Sequence, residues 1–262
     1  MDQSTPSPLP AQSLSVAEWH DRFCRQAGWT RDVRRYLYRR AHLADAGRVL
    51  EVGCGTGVIT LDLAACSPAL VHGLDLSFPR LRFARQQDAA SSFACGNALA
   101  LPYGAETFDL VCCHYFLLWV DHPANALAEM RRVTRHGGAV LVLAEPDYGG
   151  RIDYPPELVP LGQWQREALK RQGADPEMGR QLGTLLREAG LRSVETGLLG
   201  GQWGTPPSAE ARASEWAVLQ SDLRGAVSSE VLQRLRAQDE AAWQRGERIL
   251  FVPTFYAWGR VG

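Results

Sequence analysis

The sequence predicts an α/β protein built on a mostly parallel sheet. Three observations carry this. Short apolar runs at 48–52, 70–75, 92–95, 108–113 and 139–144 alternate with stretches of helical periodicity. A glycine-rich turn, Gly53-Cys-Gly-Thr-Gly57, joins the first run to the first of those helices. The run Ala139-Val-Leu-Val-Leu-Ala144 is apolar throughout, as a central strand covered on both faces must be.

Taken in order, residues 1–13 are rich in Pro, Ser and Gln and predict a disordered tail. From Ser15 to about His42, Trp19, Phe23, Trp29, Tyr36 and Leu37 recur at helical spacing, and Ser15 with Glu18 makes a capping box. Helices are expected at 58–65, 79–87 and 123–134, the last stopped by Gly137-Gly138. Beyond strand five come helices near 161–172 and 178–189, then late strands at 193–198 and 250–258. A long polar helical stretch, 207–246, lies between the late strands. The domain expected is 14–262, with 14–44 as an N-terminal helical lid and 148–178 and 201–248 as substrate-side insertions.

Length and composition exclude several classes. The chain has 262 residues, 45% hydrophobic and 22% charged, which fits one globular domain. A net charge of −1 argues against bulk binding to nucleic acid. Of 28 basic residues only Lys170 is lysine, which we read as genomic base composition. No apolar run reaches the ~18–20 residues that span a bilayer. The polar N-terminus has no basic start or apolar core, so no secretory signal is expected. Six cysteines without a C-x-x-C pair read as free thiols of a cytoplasmic protein. Six scattered histidines, none in H-x-x-x-H, predict no metal site.

The glycine turn carries the strongest functional signal. Glycine is needed where φ is positive or where backbone must approach a ligand. The turn opens a helix N-terminus, which favours negative groups. Ligands of open α/β sheets bind at the carboxyl ends of the strands. The dinucleotide fingerprint G-x-G-x-x-G fails here, because Val58 stands where its third glycine belongs. The P-loop pattern is absent as well. Asp75 ends the second strand, 22 residues after Gly53. An acid there either accepts ribose hydroxyls or caps the following helix.

The segments E-V-G-C-G-T-G, G-L-D-L-S, C-G-N-A-L-A-L-P, F-D-L-V and E-M-R-R-V-T-R-H-G-G, in that order, resemble class I S-adenosylmethionine-dependent methyltransferases of the bacterial small-molecule type. The resemblance implies a seven-stranded, mostly parallel Rossmann-like sheet with an antiparallel last strand, helices on both faces and helical lid insertions. It implies S-adenosyl-L-methionine as cofactor. Glu51, Gly53, Gly55 and Gly57 would line its methionine and ribose portion, with Asp75 on the ribose hydroxyls. Leu76 would pack on the adenine, Asn97 and Ala98 would meet its edge, and His114 would border the methionine portion. Many relatives carry Asp where this chain has Asn97, but an amide still offers both a donor and an acceptor.

Methyl transfer from a sulfonium needs mainly proximity, alignment and a dry site, with a base only where the acceptor must lose a proton. Candidates at the strand ends are His114, Tyr115, Glu145 and Asp147 for catalysis, and Tyr148 for the substrate. Trp29, Tyr36 and Tyr154 are further candidates for the substrate pocket, as are Trp164, Trp203, Trp216 and Trp243. C-H-Y-F after strand four replaces the N-P-P-Y of amide and adenine N-methylation. The reading is methyl transfer to a small molecule. Protein or RNA methylation and a non-catalytic cofactor-binding module stand as alternatives. A homodimer is left open.

Overall fold

In a computed structural model the chain is described over residues 14–88, 90–200 and 207–262. The expected tail at 1–13 and Trp203 lie outside these residues. Strands β1 (Arg48–Val52), β2 (Leu70–Asp75), β3 (Ser92–Cys95) and β4 (Phe108–Cys113) fall where the apolar runs predict. Strand β5 (Thr134–Pro146) is followed by β6 (Ile152–Tyr154), β7 (Arg192–Leu199), β8 (Ile249–Phe251) and β9 (Thr254–Arg260). Seven of them form one sheet in the order β3-β2-β1-β4-β5-β9-β7. All neighbours from β3 to β5 are parallel, and β9 runs antiparallel between β5 and β7. Strand order reverses beside β1, which places a ligand crevice over the carboxyl ends of β1 and β4.

Side-chain alternation divides the sheet between two apolar layers. Leu50, Val52, Val111 and Val142 pack with Leu127 and Met130 of α5 (Pro123–Val133) and Leu182 and Leu186 of α7 (Met178–Glu188). Val49, Leu110, Leu141 and Leu143 face the other way, onto Leu37 and Tyr38 of α2 (Arg31–Arg40) and Ile59 and Leu63 of α3 (Val58–Cys66). A third cluster joins α6 (Val159–Arg171), α8 (Ala209–Asp222) and α9 (Ser229–Gln244) through Leu161, Trp216, Leu219 and Leu235. The two segments inserted after strand five therefore share a core of their own.

Two expectations need correction. Gly137-Gly138 does not end α5, which stops at Val133. The strand begins at Thr134, opposite Phe108, and the pairing then jumps to Leu110 opposite Ala139. The extra residues bulge out, with Gly137 at φ 76° and Gly138 too close to the Asp109 carbonyl for any side chain. The run 250–258 is broken at Pro253, which has no N–H to give a ladder. Ile249–Phe251 pairs instead with β6, a strand too short to be read from periodicity. The late strands β7 and β9 pair antiparallel at one sheet edge, and the long connection between them carries helices α8 and α9, as its length implies.

Candidate active site

The turn after β1 is held by local geometry. Gly53, Gly55 and Gly57 have φ of 74°, 52° and 81°, all in the left-handed region that favours glycine. Gly53 and Cys54 donate to the Leu74 carbonyl at the end of β2, at 2.7 and 3.0 Å. Asp75 then links the two strand ends. One carboxylate oxygen accepts from Gly55 N and the other from Ser77 N, each at 2.8 Å. Asp75 does not cap the next helix, α4 (Phe78–Gln87), whose N-cap is Ser77, and since a carboxylate has about four acceptor sites, two remain free for a ligand.

A cleft of about 1670 Å³ opens above this turn. That exceeds the roughly 300–1,000 Å³ of a site for one small ligand and leaves room for two. Glu51, Gly53, Gly55, Asp75, Leu76, Asn97 and Ala98 lie on one side of it. Gly57 does not reach it; it opens α3, and a side chain there would press on Ala84 and Phe93. Leu76 is 62% exposed, ready to meet a flat apolar ring. Asn97 is exposed, with its carbonyl oxygen accepting from Leu99 N at 2.9 Å. Glu51 is buried and accepts from the Thr60 hydroxyl. Burial raises its carboxyl to about 7.

The roof comes from outside the sheet. Helix α1 (Val16–Trp29) starts on the expected Ser15–Glu18 capping box and presents Trp19, Arg22, Phe23, Gln26 and Trp29 to the cleft. His20 meets the Thr56 hydroxyl at 2.9 Å, which pins α1 over the glycine turn. Trp216 of α8 and Trp243 of α9 close the other side, with Trp119 between. Trp164 packs instead in the core of the insertions.

The structure divides the catalytic and substrate candidates. His114, Tyr115, Tyr148 and Trp29 line the cleft. Glu145 does not. It is fully buried, and its carboxylate accepts from Phe116 N and Leu117 N at 2.7 Å and Leu118 N at 3.3 Å. It anchors the tight turn 117–119, and burial raises it to about 7 against those three donors. Asp147 is likewise spent, in a two-point ion pair with Arg180 at 2.5 and 2.7 Å. Tyr36 is corrected too. The helix breaks at Thr30, so the seven-residue step from Trp29 spans no continuous helix, and the Tyr36 hydroxyl bonds Glu195 of β7 at 2.6 Å. Tyr154 sits half-exposed on β6, away from the cleft.

His114 Nε2 lies 2.9 Å from the Thr30 hydroxyl, which also accepts from Arg34. Burial first, and the Arg34 charge second, push its pKa down to about 3. The imidazole is neutral at pH 7 and a weak proton acceptor. Tyr115 has φ 50°, a conformation uncommon outside glycine, and burial raises its phenol. Among the described residues no three His, Cys, Asp or Glu side chains stand where they would hold a metal ion.

Residues 50–142 match the model of a family described as a methyltransferase domain. A demethylmenaquinone methyltransferase of Lactiplantibacillus plantarum is 35% identical over 147 residues, 52% of this chain and 59% of that protein. One from Roseiflexus castenholzii is 34% identical over 176 residues, covering 59% of this chain and 71% of that protein. The chain belongs to the class I S-adenosylmethionine-dependent methyltransferases. The Haemonchus contortus phosphoethanolamine N-methyltransferase 2, solved with phosphomonomethylethanolamine and S-adenosylhomocysteine, shares the fold. Its TM-score is 0.59 at 17% identity, over 95% of this chain and 61% of that one. The cofactor of this methyltransferase is S-adenosylmethionine.

The residues fit the cofactor. A carboxylate with acceptor capacity to spare stands at the end of β2, an exposed leucine follows it, and the exposed Asn97 lies just past β3. Charge-assisted hydrogen bonds are each worth roughly 1.5–3 kcal/mol. Asp75→Ala should therefore weaken S-adenosylmethionine binding ~10-fold or more by calorimetry, with the circular dichroism spectrum retained. An unchanged dissociation constant would place the ribose elsewhere.

The depressed His114 gives a second prediction. Its folded pKa of about 3 lies below the usual 6.5, so the unfolded chain binds the proton first. The stability from neutral His114 is present above pH 6.5 and is lost as pH falls toward 3. Melting scans should show wild type losing stability relative to His114→Gln as pH drops from 7 to 4. A constant difference would mean that His114 titrates normally.

Sequence reasoning missed Arg22, Trp119 and Thr30. The face Trp19, Arg22, Phe23, Gln26, Trp29 was legible as a helical stripe, but a stripe does not say whether it covers a core or a cleft.

Proposed function

We propose that this methyltransferase acts on a small, planar, largely apolar acceptor of the quinol type. The observation that carries this is the roofed cleft beside the glycine turn, walled by Trp29, Trp119, Trp216 and Trp243. The names of its relatives, demethylmenaquinone methyltransferases, support the acceptor class.

In this reading Glu51, Gly53 and Gly55 hold the methionine and ribose portion of the cofactor and Asp75 the ribose hydroxyls. Leu76, Asn97 and Ala98 hold the adenine, and His114 borders the transfer position. When bound, S-adenosylmethionine supplies a methyl group already activated on a sulfonium. The chain supplies alignment and dryness. Helices α1, α8 and α9 act as the lid, Trp29 and Tyr148 orient the ring, and Tyr115 shapes the space beside His114. None of the three strand-end candidates serves as general base: His114 is a weak acceptor, and Glu145 and Asp147 are bound elsewhere.

The roof disfavours protein or RNA acceptors, which need an open groove, and the net charge of −1 disfavours nucleic acid. No described helix is long and apolar enough to cross a membrane. We read the protein as cytoplasmic, with six free cysteines in support. The exposed edge of β7 is the surface on which a homodimer would pair, which sedimentation checks.

The test is a screen of planar hydroxylated aromatics with methyl-labelled S-adenosylmethionine. Labelled product together with S-adenosylhomocysteine is expected. Cofactor binding without turnover of any acceptor would favour a binding module, and tight binding of NAD in its place would overturn the site assignment.

A further inference from the structure

The strand-end candidates supply no general base, an acceptor that arrives already ionised needs none, and one cation of the cleft wall suits such an acceptor. Three arginines lining the cleft have side chains at least nine-tenths buried: Arg22 at 9%, Arg151 at 5% and Arg248 at 1% exposure. Two of them are occupied. Arg151 gives Nε and Nη2 to Asp153 and Nη1 to Gln165. Arg248 binds Asp239, Asp153 and two backbone carbonyls.

Arg22 differs. Its Nη1 donates to Glu215 on α8 at 2.9 Å, and no other described residue takes a hydrogen bond from it. A guanidinium has five N–H donors. A buried charge is costly unless its donors are met. Here the lone partner is itself 43% exposed at its side chain. Arg22 shares the cleft wall with Tyr115 and Tyr148, and its charge favours the ionised form of both phenols against burial. The arginine is thus set to stabilise negative oxygen beside the transfer position.

We propose that Arg22 anchors an anionic oxygen of the acceptor, which is therefore an acidic hydroxyl on a planar ring, a phenol or enol bound as its anion. This deepens the methyltransferase reading and rests on it. The hydroxyl proton passes to solvent before binding. The electron pair of the anion forms the bond to the methyl carbon, and the sulfur keeps the pair of the bond that breaks. The negative charge of one reactant cancels the positive charge of the other. Where carbon is attacked, the proton on that carbon then leaves to solvent.

The test uses the full chain saturated with S-adenosylhomocysteine and two planar probes, 2-naphthoate and its neutral isostere 2-naphthamide, titrated by calorimetry. Wild type is expected to bind the anion ~10-fold or more tightly than the amide, the scale of one charged hydrogen bond. Arg22→Gln should level the two, and Arg22→Lys should keep part of the preference. Glu215→Gln, which removes the competing carboxylate and leaves Arg22 in place, should raise the preference. Equal binding of the probes by wild type, an undiminished preference in Arg22→Gln, or one that fails to rise in Glu215→Gln would overturn the proposal. Failure of wild type to bind S-adenosylhomocysteine at all would instead overturn the methyltransferase reading.

Discussion

Gly53→Ala is expected to lower the affinity for S-adenosylmethionine by about 100-fold, equivalent to roughly 3 kcal/mol. Two costs add. Gly53 has φ 74°, and a non-glycine residue in the left-handed region pays roughly 1–2 kcal/mol. The new Cβ would also lie 2.2 Å from the Phe116 ring, so that ring or the turn must move. Phe116 begins the segment whose backbone N–H groups Glu145 holds, so the disturbance passes to a rigid part of the cleft. Gly137→Ala is the internal control. It carries a similar positive φ of 76° but has open space around it and lies far from the cleft, so it should cost stability and leave cofactor affinity unchanged. Equal affinity in Gly53→Ala and wild type would show that the turn rearranges freely.

Deleting residues 1–30 is expected to abolish turnover and weaken cofactor binding while the sheet stays folded. Deleting 1–12 should change almost nothing. The longer deletion removes Arg22, Phe23, Gln26 and Trp29 from the cleft wall, the His20 contact to Thr56 and the Thr30 partner of His114. It leaves α2, whose Leu37 and Tyr38 belong to the sheet's own core. Steady-state assays and thermal melts together separate the two effects, because water entering the site lowers turnover without unfolding the sheet. Full activity in the longer deletion would make α1 a packing element and assign the lid to α8 and α9 alone.

Much of the frame was legible because its signals are local. Strands β1 to β4 announce themselves as short apolar runs between turn residues, and the three glycines at 53, 55 and 57 announce left-handed backbone by having no side chain. Ser15 and Glu18 cap α1 with atoms three residues apart. Asp75 was legible by its place after an apolar run. In each case the physics acts within a few residues, so composition and spacing carry it. The bulge at 135–138 and the break at Pro253 were less legible, since each depends on which neighbouring strand supplies the ladder.

What the sequence determined by itself was most of the central sheet and the glycine turn beside Asp75, where backbone conformation and strand order dictate the geometry. The roles of the polar residues at the acceptor end were decided only by the tertiary structure. Glu145, Asp147 and His114 look equivalent as titratable groups at strand ends. Their partners lie far along the chain or in the fold: the amides of 116–118, Arg180, and Thr30 with Arg34 behind it. Arg22 shows the reverse. In sequence it is one arginine among many on an amphipathic helix, and only the packing of α1 against α8 puts its charge inside the cleft beside Tyr115 and Tyr148. Burial and charge pairing are sums over neighbours that the fold brings together, and those sums are written in no short stretch of the chain.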